Sequence, residues 1–190
     1  MKLKNKYYIM RHGQAKSNVK AMCSCWPEKF HNPLTTKGKQ EVKDSIKKFK
    51  DKGNTVDLIF ASPLLRAQQT AEIVEKFFGV KHKTDKRLRE IDFGKFNNRK
   101  LEAMWKSFKS EKERINTRKD GEETYKEISK RMTESLKDID KKYKGKNIMI
   151  ISHEGPLGLL QSKVSGLSLE ESINIPLEKR IHKAEIRELN

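Results

Sequence analysis

Cysteine is nearly absent from this 190-residue chain: Cys23 and Cys25 are the only two, one residue apart. That spacing suits neither a relaxed disulfide nor, without a second pair, a zinc site, so a disulfide scaffold drops out and both are read as reduced thiols in a loop. Long apolar runs are missing as well. The N-terminal region offers only Tyr7 to Met10, far short of a signal segment or a membrane span, and a cytoplasmic protein is expected. Repeats and low-complexity linkers are absent, and a chain of this length can bury one substantial core, which points to a single domain over residues 1–190. Acidic residues are in short supply, 26 against 43 lysines and arginines, leaving a formal charge of +17. Such an excess attracts nucleic acid, anionic membranes or phosphorylated small molecules, and by itself chooses none of them. Most lysines lie scattered on polar faces, as between Lys37 and Lys52, and rarely alternate with aromatics. With no aromatic and basic tract for single strands and no helix-turn-helix signature, the sequence argues against nucleic acid as a partner.

Three short apolar runs stand out, Tyr7–Met10, Val56–Ala61 and Ile148–Ile151, each ending in polar or turn residues. They read as buried parallel strands of one sheet. Between them apolar residues recur at helical spacing. Val42, Ile46 and Phe49 follow a cap at Thr35 or Thr36; Leu65, Ile73, Phe77 and Phe78 follow Ser62-Pro63, with Ser62 expected as the cap and Pro63 as the first helical residue. Leu101, Met104, Trp105 and Phe108 form one further stripe, and Tyr125, Ile128, Met132, Leu136 and Ile139 another, both expected in the core. Pro156–Lys163 predicts a helix, Ile173–Leu177 an edge strand, and Ile181–Ile186 alternates only in part. Strands alternating with helices imply an α/β fold with helices on both faces of the sheet, joined by right-handed crossovers.

In such sheets ligands bind beyond the carboxyl ends of the strands. The residues that follow the three strands are Arg11-His12-Gly13, Ser62-Pro63 with Arg66 a turn later, and Ser152-His153-Glu154-Gly155. Two histidines and two arginines are therefore expected to meet at one end of the sheet. The arginine fork donates paired, charge-assisted hydrogen bonds to a phosphate, and a neutral imidazole can attack phosphorus and accept the phosphoryl group. Neighbouring cations are expected to depress the histidine pKa and keep it neutral. Gly13 permits a close backbone approach after the strand. His31, His82 and His182 lack such company and receive no role.

Taken together the motifs resemble the histidine phosphatase superfamily, which includes the cofactor-dependent phosphoglycerate mutases. The resemblance is carried by Arg11-His12-Gly13-Gln14 with Asn18, by Pro33-Leu34-Thr35-Thr36-Lys37-Gly38, by the stretch Ser62 to Ala71, by Leu88 to Gly94, by Gly121-Glu122, and by Ser152-His153. It implies a phosphoglycerate mutase-like, three-layer α/β/α sandwich with a mostly parallel central sheet and an antiparallel edge. It also implies that His12 is the nucleophile, that Arg11, Asn18, Arg66 and His153 hold the phosphate, and that the backbone amide after His153 adds a contact. Glu90 would be the general acid that protonates the leaving oxygen, then the base that helps water open the phosphohistidine. Asp92 and Glu122 are its competitors in sequence. A carboxyl group beside a bound dianion is expected to hold its proton near neutral pH. No metal and no cofactor are called for, because a positive pocket can itself neutralise a loose phosphoryl-transfer transition state.

Within that family the chain is compact, and Val19 to Asn32, with Cys23-Ser24-Cys25-Trp26 and no glycine, departs from the mutase pattern. Hydrolysis of a small phosphorylated substrate, a phosphomonoester, is thus the leading expectation. A phosphoglycerate mutase is the alternative enzyme, and a catalytically idle phosphate-binding or nucleic-acid-binding module the alternative class. Glu154 is a second departure: pointing inward it would face the substrate and repel a second anion, pointing outward it would add only a surface charge. Trp26, Phe30 and Trp105 either cover an apolar part of the substrate or pack. A homodimer through an edge strand stays open.

Overall fold

The computed structural model describes residues 1–190. The chain begins with β1 (Lys6–Arg11), a short helix α1 (Lys16–Lys20) and the long α2 (Thr36–Asp51). There follow β2 (Leu58–Ala61), α3 (Leu65–Phe78) and β3 (His82–Thr84), then α4 (Leu101–Trp105) and α5 (Tyr125–Lys142). The last part holds β4 (Asn147–Ser152), α6 (Glu154–Val164), α7 (Leu169–Ile173) and β5 (Ile186–Glu188). The five strands lie in the order β3-β2-β4-β1-β5. The first four are parallel, and β5 runs antiparallel to β1 at the edge. This is the expected three-layer sandwich with a mostly parallel sheet and an antiparallel edge.

The strand register explains why the apolar runs are continuous rather than alternating. Tyr7 and Ile9 of β1 and Ile148 and Ile150 of β4 face a core completed by α5 and α6. Tyr8 and Met10, with Met149 and Ile151, face the other way onto Val42 and Ile46 of α2 and Ala67, Ala71 and Val74 of α3. A strand buried on both faces has no solvent side on which to place polar residues. The helices carry the complementary one-sided stripes. Thr35, rather than Thr36, caps α2 by accepting from the Gly38 amide at 3.0 Å, and Thr124 and Glu127 form a reciprocal capping box at the start of α5.

Several expectations fail for identifiable reasons. Ile173–Leu177 is not an edge strand: Ser168 and Glu171 form a capping box that starts α7, and Leu177 lies in a single 3₁₀ turn, 71% exposed. The antiparallel edge begins at Ile186, where the partial alternation of Ile181–Ile186 ends. Strand β3 went unforeseen because His82, Lys83 and Thr84 bring no apolar run; pairing to Ile59, Phe60 and Ala61 recruits them. In the stripe from Leu101, the helix stops at Trp105, which is 38% exposed, and Phe108 is buried beyond its end. No helix is long and apolar enough to cross a membrane.

Candidate active site

Three parallel neighbours, β2, β4 and β1, deliver their carboxyl ends side by side, and sheet pairing continues past them. The His12 amide donates to the Ser152 carbonyl at 3.1 Å, and the Ser62 amide to the Ile151 carbonyl at 3.0 Å. His12, Ser62 and His153 are thereby set in one row. Gly13 follows because the first turn of α2 presses on this loop: a Cβ at Gly13 would stand 2.3 Å from the Gly38 carbonyl oxygen, and one at Gly38 2.0 Å from that of Gln14. The segment Pro33 to Gly38 therefore acts as a backstop for the Arg11–Gln14 turn, secured by the Thr35 amide donating to the Gln14 carbonyl at 2.9 Å.

Arg66 is the hub. It projects from the first turn of α3 and is 2% exposed. Its Nε donates to His12 Nε2 at 3.0 Å, and its Nη2 donates to His153 Nδ1 at 3.1 Å. These contacts settle the tautomers. His12 Nδ1 lies 2.7 Å from the Gly13 carbonyl oxygen, which only accepts, so the proton is on Nδ1 and the lone pair on Nε2. His153 is the reverse: Nδ1 accepts from Arg66, and Nε2–H donates to Ser62 Oγ at 2.7 Å. Burial, followed by the charges of Arg66 and Arg11, holds the pKa of His12 well below the ordinary histidine value. For His153 burial and Arg66 again dominate, with the same direction. Both rings are neutral at physiological pH, as the sequence predicts for a histidine among cations.

Arg11 approaches from the far side. Its Nη1 is 2.5 Å from Glu154 Oε2 and donates to the Ile181 carbonyl at 3.0 Å, while its buried Nε has no partner. Glu90 enters from the loop after β3. Its Oε2 lies 3.7 Å from Arg66 Nη2 and 3.6 Å from His153 Nδ1, and Oε1 accepts from the Ile91 amide at 3.0 Å. Burial raises the Glu90 pKa in spite of the opposing pull of Arg66 and Arg11. The cause thus differs from the one expected, since burial acts before any dianion is bound. Asn18 completes the wall from α1, its Oδ1 accepting from the Ala15 amide at 2.9 Å.

Together Arg11, His12, Asn18, Arg66, Glu90 and Glu154 line one cavity of about 170 Å³. Of the competing carboxylates, Asp92 is turned to the Gly94 amide at 2.9 Å and Glu122 lies against Arg114 at 3.8 Å, and neither lines the cavity. Trp105 does; Trp26 and Phe30 do not. No group of three or more His, Cys, Asp or Glu side chains is arranged to hold a metal ion.

Sequence reasoning passed over the residues that hold this hub. Ser62 is no helix cap, for Leu64 occupies that place without a side-chain hydrogen bond; the Ser62 hydroxyl accepts from the Leu64 amide at 3.3 Å and from His153 at 2.7 Å. Ser24 accepts from Arg66 Nη1 through Oγ at 3.2 Å and from Nη2 through its carbonyl at 3.0 Å. Glu28 ties the Leu65 amide at 3.0 Å and lies 3.4 Å from Arg66 Nη1. The Val19–Asn32 segment is thus a clamp on Arg66, and Cys23 and Cys25 are buried anchors of it, free thiols pushed by burial up to about 12. Arg131 of α5 donates to the carbonyls of Arg87, Arg89 and Glu90 and pairs with Glu123, which pins the Glu90 loop. A signal for it existed, since an arginine between Ile128 and Met132 sits on the core-facing stripe of its helix.

The fold has close counterparts among solved structures. Bacillus stearothermophilus YhfR superposes with a TM-score of 0.82 at 22% identity, over 96% of this chain and 89% of that one. The alpha-ribazole phosphatase from Shigella flexneri gives 0.79 at 22% identity, over 95% and 88%. In sequence, the protein named probable phosphoglycerate mutase GpmB from Enterobacter sp. (strain 638) is 31% identical over 165 residues, 84% of this chain and 74% of that protein. The family model of the histidine phosphatase superfamily (branch 1) matches residues 7–189. With the paired histidines, the arginine hub and a match over nearly its whole length, the chain belongs to branch 1 of the histidine phosphatase superfamily, whose members include phosphatases and mutases.

Proposed function

We propose that this protein hydrolyses phosphomonoesters through a phosphohistidine on His12, with Glu90 as general acid and then base. The observation that carries this is the pairing of a lone pair on His12 Nε2 with the Arg66 fork at 3.0 Å, and with Glu90 held 3.7 Å from that same fork. In the first step Nε2 attacks phosphorus, the ester P–O bond breaks, and the protonated Glu90 gives its proton to the leaving oxygen. Arg66 and Arg11 supply the charged donors around the transferring phosphoryl group, while His153, fully buried and absent from the cavity wall, acts by holding Arg66 Nη2 rather than by touching the phosphate as the resemblance implied. In the second step water attacks, its proton passes to Glu90, the P–N bond breaks, and inorganic phosphate leaves. His12 returns to its starting tautomer because Gly13 keeps the proton on Nδ1 throughout.

The test is release of free phosphate from a panel of phosphomonoesters in the presence of chelator, by the intact protein and by His12→Ala. Turnover that persists with chelator and is lost in the variant is the expected result. Turnover by His12→Ala at the rate of the intact protein would refute the mechanism. The name carried by the Enterobacter relative favours a second reading, phosphoryl transfer back to a phosphoglycerate. Labelled phosphate that reappears on carbon-bound oxygen rather than in solution would establish that reading instead.

A further inference from the structure

Besides Glu90, Glu154 is the one carboxylate in the cavity wall, and phosphohistidine chemistry leaves it without a task. It opens α6 directly after His153, with its side chain 36% exposed. Its Oε2 and the Ile181 carbonyl both hold Arg11 by the same nitrogen, Nη1, whereas the Nε of Arg11 has no partner. Glu154 is thus held at the cavity wall by its ion pair with Nη1.

Glu154 also stands where two chambers meet. The chamber of about 170 Å³ that contains His12 adjoins a smaller one of about 70 Å³, and Glu154, Tyr125, Gly155 and Arg180 line both. With phosphorus on His12 and the ester oxygen toward Glu90, the leaving group lies in the space that Glu154 borders. Two of the other cations of that wall have carboxylates beside them. Arg180 donates to Glu111 at 3.2 Å, and Arg114 is buried under the rings of Trp105, Phe108 and Tyr125 with Glu122 alongside.

Resting on the hydrolytic reading of this site, we propose that Glu154 determines specificity: it favours phosphomonoesters whose leaving group is a neutral or cationic hydrogen-bond donor, a polyol or an amino alcohol. It disfavours those with a second anion next to the ester. The carboxylate accepts from hydroxyl or ammonium groups and repels a carboxylate.

The experiment compares kcat/KM for glycerol 3-phosphate, phosphoethanolamine and 3-phosphoglycerate in the intact protein, in Glu154→Asp and in Glu154→Gln. The first two substrates are expected to exceed the third by about tenfold, the equivalent of ~1.4 kcal/mol. Glu154→Asp retains the preference, and Glu154→Gln brings the ratio to within about threefold, chiefly by gain on 3-phosphoglycerate. An unchanged ratio in Glu154→Gln, or a wild-type preference for 3-phosphoglycerate, overturns the assignment. Dissociation constants for the same three compounds, measured by calorimetry in the His12→Ala background with and without Glu154→Gln, separate this inference from hydrolysis itself. Discrimination that depends on Glu154 without any turnover by the intact protein would sink the hydrolytic reading and uphold the specificity. Turnover with no dependence on Glu154 in either measurement would sink the specificity alone.

Discussion

At the scale of single residues, the packing around the two histidines assigns their protons with no substrate present. A backbone acceptor fixes His12 with its lone pair on Nε2, where it accepts from Arg66, and an arginine donor fixes His153 the other way round. Burial and two arginines depress the pKa values of both rings, which favours their neutral forms. Glu90 is shifted the opposite way by the same burial, the direction that the proposed acid role requires. Glu90→Gln is accordingly expected to cut kcat for alkyl phosphates by about 10²–10⁴-fold, and for nitrophenyl phosphate, whose leaving group needs no proton, far less. Equal losses on both would remove Glu90 from the acid role.

Glu122 offers a separate test by linkage. Burial pushes its pKa from 4.5 up to about 7, so the folded state holds a proton that the unfolded state has already released. This part of the stability is present below pH 4.5 and is lost as pH rises to about 7. Urea midpoints at pH 5 and pH 8 should therefore show the intact protein losing roughly 1–3 kcal/mol more than Glu122→Gln over that interval. Parallel pH profiles for the two would show that Glu122 is not the titrating group.

At the scale of elements, the chemistry depends on how closely two segments of the chain approach. The α2 turn packs on the Arg11–Gln14 turn with glycine on both sides of the contact. Gly38→Ala places a Cβ 2.0 Å from the Gln14 oxygen, so the helix or the turn must shift. An overpacking cost of ~1–3 kcal/mol follows. Because the turn carries His12, we expect kcat/KM to fall by about tenfold or more, as small misplacements do in phosphoryl transfer. A variant with a lowered urea midpoint but wild-type kcat/KM would uncouple the contact from catalysis. Elements also show where pattern reading stops. The continuous runs of β1 and β4 were legible because burial on both faces leaves an unambiguous local signature. Strand β3 was not, since its pairing with β2, rather than its composition, makes it a strand. Ser62 illustrates the same limit: Ser-Pro reads locally as a helix start, whereas a histidine 91 residues away claims the hydroxyl.

At the scale of the whole molecule, a +17 charge bears on solubility and on encounter with anions rather than on the fold. A phosphate dianion approaching this surface is attracted over roughly a Debye length, about 10 Å at 0.1 M salt. For a dianionic monoester kcat/KM is expected to fall severalfold between about 20 and 300 mM sodium chloride, most of it in KM. A flat salt profile would confine the excess lysines to solubility.

The three central strands with the long helices between them, the strand ends where the candidate residues sit, and His12, Arg66, His153 and Glu90 as those candidates were determined by the sequence itself. Each of these rests on local pattern or on motifs of adjacent residues, and local pattern survives without a fold. What only the tertiary structure decided is how those candidates meet: β2 and β1 on either side of β4, Arg66 gripped by Ser24 and Glu28, opposite tautomers on the two histidines, and Glu154 turned onto Arg11. These depend on partners tens of residues apart, whose approach is set by the packing of two helical layers on one sheet.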